Sequence, residues 1–165
     1  MAIDKINSEG LLLSDDFVFT GNVSGAGESN TPAFYAQAGH QDVPATTDTK
    51  MQFDTEVIDT NSAFDHSSNY RFTVPSGQAG KYFFITTVRL STTVNMDDFQ
   101  VMIKKNNSVV AKSAMYHDYH ESRECEVMLD LSVGDYVEVF IYIGINKGTS
   151  SSLTENRFMG FKISS

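Results

Sequence analysis

The stretch Gly80-Lys81-Tyr82-Phe83-Phe84-Ile85-Thr86-Thr87-Val88-Arg89-Leu90 decides the fold class. Tyr82, Phe84, Thr86, Val88 and Leu90 share one side of an extended chain, because successive side chains of a strand point to opposite faces. A helix would need apolar residues three and four apart; here they recur at two. The same period returns downstream. Val101 and Ile103 alternate with Met102 and Lys104, and the turn-rich Lys105-Asn106-Asn107-Ser108 follows. Cys125, Val127, Leu129 and Leu131 alternate with Glu124, Glu126, Met128 and Asp130. Val137, Val139, Ile141 and Ile143 alternate with Tyr136, Glu138, Phe140 and Tyr142. Alternation with one polar face marks antiparallel sheet, apolar side inward. Several such strands between turn signals predict an all-β sandwich or barrel.

Upstream the texture changes. Residues 1–30 are polar and rich in Gly, Ser and Asn. They hold one candidate strand, Phe17-Val18-Phe19-Thr20-Gly21-Asn22-Val23, which runs into the turn-like Ser24-Gly25-Ala26-Gly27. Such a piece builds no core alone, so residues 1–30 are expected to be an attachment or inter-subunit segment. Residues 31–165 then form one domain, and a chain of 165 residues has no room for a second full core. No internal repeat, heptad pattern or collagen-like glycine triplet occurs.

The formal charge of −9, from 21 acidic and 12 basic residues, repels phosphate backbones. No Lys/Arg stripe offsets it, so a nucleic-acid partner is not expected. Cys125 is the only cysteine, which excludes an intrachain disulfide, and its place in an alternating strand predicts a buried, inert thiol. The opening MAIDKINSEGLLLSDD has three consecutive leucines but no apolar run long enough for a signal-peptide core or a membrane span. The expectation is a chain without an encoded leader and without membrane insertion.

Catalytic patterns are lacking. No Gly-x-Ser-x-Gly elbow, Walker loop or dinucleotide-binding glycine pattern occurs, and no carboxylate pair for glycoside hydrolysis is evident. The reading is of a non-enzymatic protein with no cofactor. His117 and His120 would point to opposite faces of a strand; in a loop they would converge on a metal with Asp118 or Glu121. A solvated loop is the expected outcome there, and no metal site is assigned.

Phe53, Asp59, Phe64, Phe72 and Gly80-Lys81-Tyr82-Phe83-Phe84 occur in an order that resembles the C1q-like signature. In that signature a Phe, an Asn or Asp, an aromatic and a second Phe lead to Gly-x-Tyr-x-Phe. The intervals Phe64–Phe72 and Phe72–Gly80 are slightly longer than usual, which reads as turn insertions around Ser67-Ser68-Asn69 and Pro75-Ser76-Gly77. The aromatic that closes the motif is replaced by Thr86. Pro32-Ala33-Phe34-Tyr35-Ala36 is similar to the family's opening strand. Gln100-Val101-Met102-Ile103-Lys104-Lys105-Asn106 is similar to its hairpin. Leu129-Asp130-Leu131-Ser132-Val133-Gly134-Asp135-Tyr136-Val137 and Phe158-Met159-Gly160-Phe161-Lys162-Ile163 are similar to its last two conserved segments.

The resemblance implies an antiparallel two-sheet jelly-roll sandwich of the C1q and tumour-necrosis-factor type. It makes Phe53, Phe64, Phe72, Gly80, Tyr82, Phe84 and Phe161 a core signature. It also implies a homotrimer that acts as a binding head. Tyr136, Phe140 and Tyr142, opposite the aliphatic side of their strand, are then candidates for the trimer interface, with Phe83 and Ile85 as partners. The alternative is that loops cover them. Residues 113–122 and 144–157 are candidate recognition loops, against a plain solvated connection as the alternative. Some family members ligate calcium; Asp97-Asp98 or Asp15-Asp16 would serve here, although no spaced set of oxygen ligands accompanies them.

The opening Met1-Ala2-Ile3-Asp4-Lys5-Ile6 and the stretch Phe17 to Gly27 resemble small structural proteins of bacteriophages that carry a C1q-like head behind a short tether. This implies a capsid- or tail-mounted fibre or decoration protein at the virion surface. Residues 1–30 would join it to another virion protein, and the head would adhere to a host polysaccharide or envelope component. A secreted ligand of the same fold and a purely architectural capsid decoration protein are the alternatives.

Overall fold

A computed structural model of the chain describes residues 30–91, 98–115 and 122–165. The strands are β1 (Ala33–Gln37), β2 (Asp42–Val43), β3 (Thr49–Lys50), β4 (Thr55–Asp59), β5 (Phe64–Asp65) and β6 (Arg71–Thr73). After them come β7 (Gly80–Arg89), β8 (Phe99–Lys105), β9 (Ser108–Met115) and β10 (Ser122–Leu131). The last are β11 (Tyr136–Ile143), β12 (Lys147–Gly148) and β13 (Arg157–Ser164), with a short 3-10 turn at Leu153–Glu155. A five-stranded sheet has the order β10-β7-β13-β1-β4. A second runs β5-β6-β11-β8-β9, with β3 also paired to β11 as its sixth strand. β2 and β12 make a small ribbon apart. Strand partners are antiparallel in both sheets. This is the all-β sandwich that the alternation predicted, in the two-sheet jelly-roll form that the C1q resemblance implied.

The core lies between the sheets, and the period-two faces supply it. Tyr82, Phe84, Thr86 and Val88 point inward from β7, Leu90 just beyond its end does the same, and Val137, Val139, Ile141 and Ile143 point inward from β11. Phe34 is the hub: its ring stacks on Phe64 at 4.7 Å and Phe72 at 5.3 Å, and meets Phe158 edge-on at 4.9 Å. Such pairs add about 1 kcal/mol each beyond the area they bury. Thr86, where the signature has an aromatic, donates its hydroxyl to the Arg157 carbonyl at 3.0 Å, so its polarity is satisfied inside. Burial pushes the Tyr82 phenol up to about 12.

Phe161 departs from the expected core set. On β13 the inward positions are Phe158, Gly160 and Lys162, so Phe161 faces outward and is 40% exposed. Gly160 explains the choice of face. A Cβ there would sit 2.4 Å from Phe84 Cδ1, so the missing side chain makes room for the rings. Gly80 acts by backbone contact, as expected: a Cβ would lie 2.2 Å from the Ser164 carbonyl oxygen, and its φ of +146° also suits glycine.

Turn chemistry fixes the register. Asn106 and Asn107, at φ +48° and +67°, close the β8–β9 hairpin in the left-handed region that Asn tolerates. The Asp59 carboxylate accepts backbone N–H groups from Asn61, Ala63 and Phe64. Asp65 does the same for Ser67, Ser68 and Asn69, which places the first inserted stretch in a tight turn. Gly77, at φ +75°, turns the second.

Candidate functional site

The outer faces of the two sheets differ in kind. On the five-stranded sheet, strand register sets Met128, Phe83, Phe161 and Ala33 side by side in one row. The adjacent row is Glu126, Ile85, Met159, Tyr35 and Ile58. Phe83 and Phe161 touch, with ring centroids 5.9 Å apart. Exposure is 71% at Met128, 51% at Ile58, 40% at Phe161 and 36% at Ile163. Ile85 and Met159 also line a shallow depression of about 160 Å³ with Thr87, Glu124 and Arg157. Glu124, Glu126 and Asp130 of β10 edge this apolar surface on one side. Large contiguous apolar patches of this kind are interaction sites.

On the opposite sheet, β11 turns Tyr136, Glu138, Phe140 and Tyr142 outward. Cations of the same chain cover two of the three rings. The Arg71 guanidinium lies 4.3 Å from the Tyr136 ring centroid, and the Lys104 ammonium 3.9 Å from that of Phe140. Lys50 approaches Phe140 from its other neighbour strand, at 5.7 Å. Glu138, between the two rings, is only 2% exposed and is ion-paired with Lys50. Its Oε2 is buried without a hydrogen bond among the described residues. Arg71 and Lys104 are its cross-strand neighbours, so three cations surround one buried carboxylate.

Phe83 and Ile85 therefore lie on one outer face, and Tyr136, Phe140 and Tyr142 on the other. A cyclic trimer joins two different patches of each subunit, so the split alone does not separate them. Their cover does: the first face is bare, and the second carries its own lid of charged side chains.

A jelly roll with this strand order, this aromatic hub and this backbone-tight Gly80 matches the C1q domain model over residues 33–163. The chain belongs to the C1q domain family. Among solved structures, the globular domain of zebrafish complement 1qA protein superposes with a TM-score of 0.59 at 19% identity, covering 81% of this chain and 98% of that one. Eiger TNF from S. frugiperda gives a TM-score of 0.61 at 11% identity, with 80% and 92% covered. Murine APRIL gives 0.61 at 12%, with 79% and 98% covered. At such identities the likeness speaks for the fold. No curated protein is significantly similar in sequence.

In this C1q domain the two candidate recognition loops fare differently. Residues 144–157 are pinned to the body at two buried polar residues, while 145–146 and 151–154 stay exposed. Thr149 and Asn156 are fully buried. The Asn156 side chain donates to the carbonyls of Ser150 and Ala38 and accepts from the Arg89 N–H, pinning both ends of the segment. The Thr149 hydroxyl accepts from the Gln41 N–H at 2.8 Å, and His40 bonds the Thr149 carbonyl through Nδ1 and Asp42 through Nε2. Serine-rich sequence hid this bracing, because the partners lie more than a hundred residues away in the case of Gln41 and Thr149. Of residues 113–122, the first three continue β9 and the last opens β10. Residues 116–121, with His117 and His120, lie outside the described residues, as do Asp97, Asp15 and Asp16. Asp98 accepts from the Gln100 amide. Among the described residues no group of three acidic, His or Cys side chains is placed to hold a metal. Cys125 is buried, and burial pushes its thiol up, away from reactivity.

Proposed function

We propose that the chain is a non-enzymatic C1q-like binding head that assembles as a homotrimer through the bare outer face of its five-stranded sheet. It is displayed on a phage capsid or tail by residues 1–30 and adheres to a repetitive host surface. The bare face carries this reading. Leaving Met128, Ile58, Phe161 and Ile163 in water forgoes about 1 kcal/mol or more for each of them, which burial against a second copy would recover. Phe83 and Ile85 sit at the centre of that face, whereas Tyr136 and Phe140 are already covered and are left out of it. The virion setting is supported by the likeness of the first thirty residues to the tethers of phage structural proteins. Three copies of one weak site gain avidity on a polymer of identical units.

Adsorption tests the reading. Purified chain should bind host cells and, in excess, protect them from the phage. A trimer that shows neither bound fraction nor protection would make this an architectural decoration protein.

A further inference from the structure

We infer that the outer face of the six-stranded sheet is the ligand-binding surface of this head and that it takes an acidic polysaccharide. The inference rests on the adhesive reading above and adds to it a face and a ligand class.

The face carries Lys50, Arg71, Lys104 and Lys112 on a chain whose net charge is −9. Two of these cations are already paired: Lys50 with the buried Glu138, and Lys104, 12% exposed, with Asp48, 48% exposed. Asp65 is turned into its own loop, where backbone N–H groups and the Asn69 amide hold its carboxyl well below the usual carboxylate range. The cations left for a ligand are therefore Arg71 and Lys112. Among the described residues neither Arg71 nor Lys112 has a carboxylate partner, and Lys112 is exposed. The Arg71 guanidinium carbon sits 4.3 Å from the Tyr136 ring centroid, so the cation is held over the ring before any ligand arrives.

This arrangement suits a sugar polymer bearing sparse charge. Tyr136 to Tyr142 span about 20 Å along the strand, and Tyr142, the ring with no cation over it among the described residues, offers apolar surface to a pyranose face while Arg71 and Lys112 meet carboxylates or sulfates at the flanks. Nucleic acid fits poorly, because its dense phosphates would meet the negative field of the whole chain. A trimer that seats the bare face against a sheet edge of the next copy leaves this opposite face free on every copy.

The full chain should be retarded in affinity gels by polygalacturonate and by dextran sulfate, and not by neutral dextran of matched length. Retardation should weaken steeply with salt. Arg71→Ser and Lys112→Ser should each weaken it about fivefold to tenfold. Lys147→Ser, the same charge change on the β2–β12 ribbon apart from both sheets, should leave it unchanged. Equal retardation by neutral dextran, an equal loss in Lys147→Ser, or equal affinity for duplex DNA would overturn the inference. Host-cell binding without any polyanion binding would sink the ligand class alone; the loss of both would sink the adhesive reading with it.

Discussion

Lys50 and Glu138, 88 residues apart in sequence, form an ion pair in which the carboxylate is 2% exposed and the ammonium side chain 32%. The asymmetry means that the lysine brings a solvent-anchored charge to a carboxylate that has no other ion-pair partner among the described residues. Removing the lysine strands that charge. Lys50→Ala should destabilise the domain by about 3 kcal/mol in urea unfolding. The double change Lys50→Met with Glu138→Leu should recover most of the loss. A double variant as weak as the single one would show that the pair is not coupled.

Packing at Gly160 is equally specific. Gly160→Ala puts a methyl between Phe84 and the Phe34 ring, at 2.4 and 2.9 Å, where neither ring has room to retreat. The expected cost is about 3 kcal/mol, read as a lowered thermal midpoint. A variant within 0.5 kcal/mol of the parent, on the order of an ordinary surface change, would mean that the hub is loosely packed.

Assembly is checked by solution mass. Light scattering behind a sizing column should give a trimer for the full chain and for a version lacking residues 1–30, and a monomer for Phe161→Asp. Far-ultraviolet dichroism confirms that the last variant is folded. A trimer only with residues 1–30 present would make that segment the assembly device, and a monomer throughout would remove avidity from the mechanism.

Asp135 links turn chemistry to pH. Hydrogen bonds from the Lys105 ammonium, the Asn106 amide and the Ser132 N–H hold its carboxyl down at about 2. A carboxyl depressed in the folded state contributes stability above the unfolded value of about 4, and that contribution is lost as pH falls toward 2. Asp135→Asn should therefore cost about 2 kcal/mol at neutral pH. The gap between parent and variant should close in acid unfolding curves between pH values of about 4 and 2. A constant gap would place the effect in packing instead.

Much of this architecture was legible in the chain itself. Period-two alternation in β7, β10 and β11 gave strands, faces and core, because that signal is local. Phe161 was misplaced for a related reason: one residue of phase turns a strand side chain from core to surface, and only Gly160 against the Phe84 ring sets the phase. The lid over Tyr136 and Phe140 could not be read at all. Arg71, Lys50 and Lys104 reach those rings from three other strands, and no spacing in sequence announces the meeting. The same holds for Asn156, one polar residue among several in a stretch that reads as solvated loop. Its bonds to Ala38 and Arg89 exist only once β1 and β7 have come together.

β13, which follows the other described strands in chain order, occupies the middle of its sheet, with β7 on one side and β1 on the other. Until residues 157–164 have left the ribosome, β1 and β7 have no neighbour to bridge them, and Phe158 is missing from the aromatic hub. β1 and β7 are thus joined only when β13 adds between them. The same strand completes the bare face, since Met159, Phe161 and Ile163 belong to β13. Closing the sandwich and finishing its apolar outer surface are therefore one event.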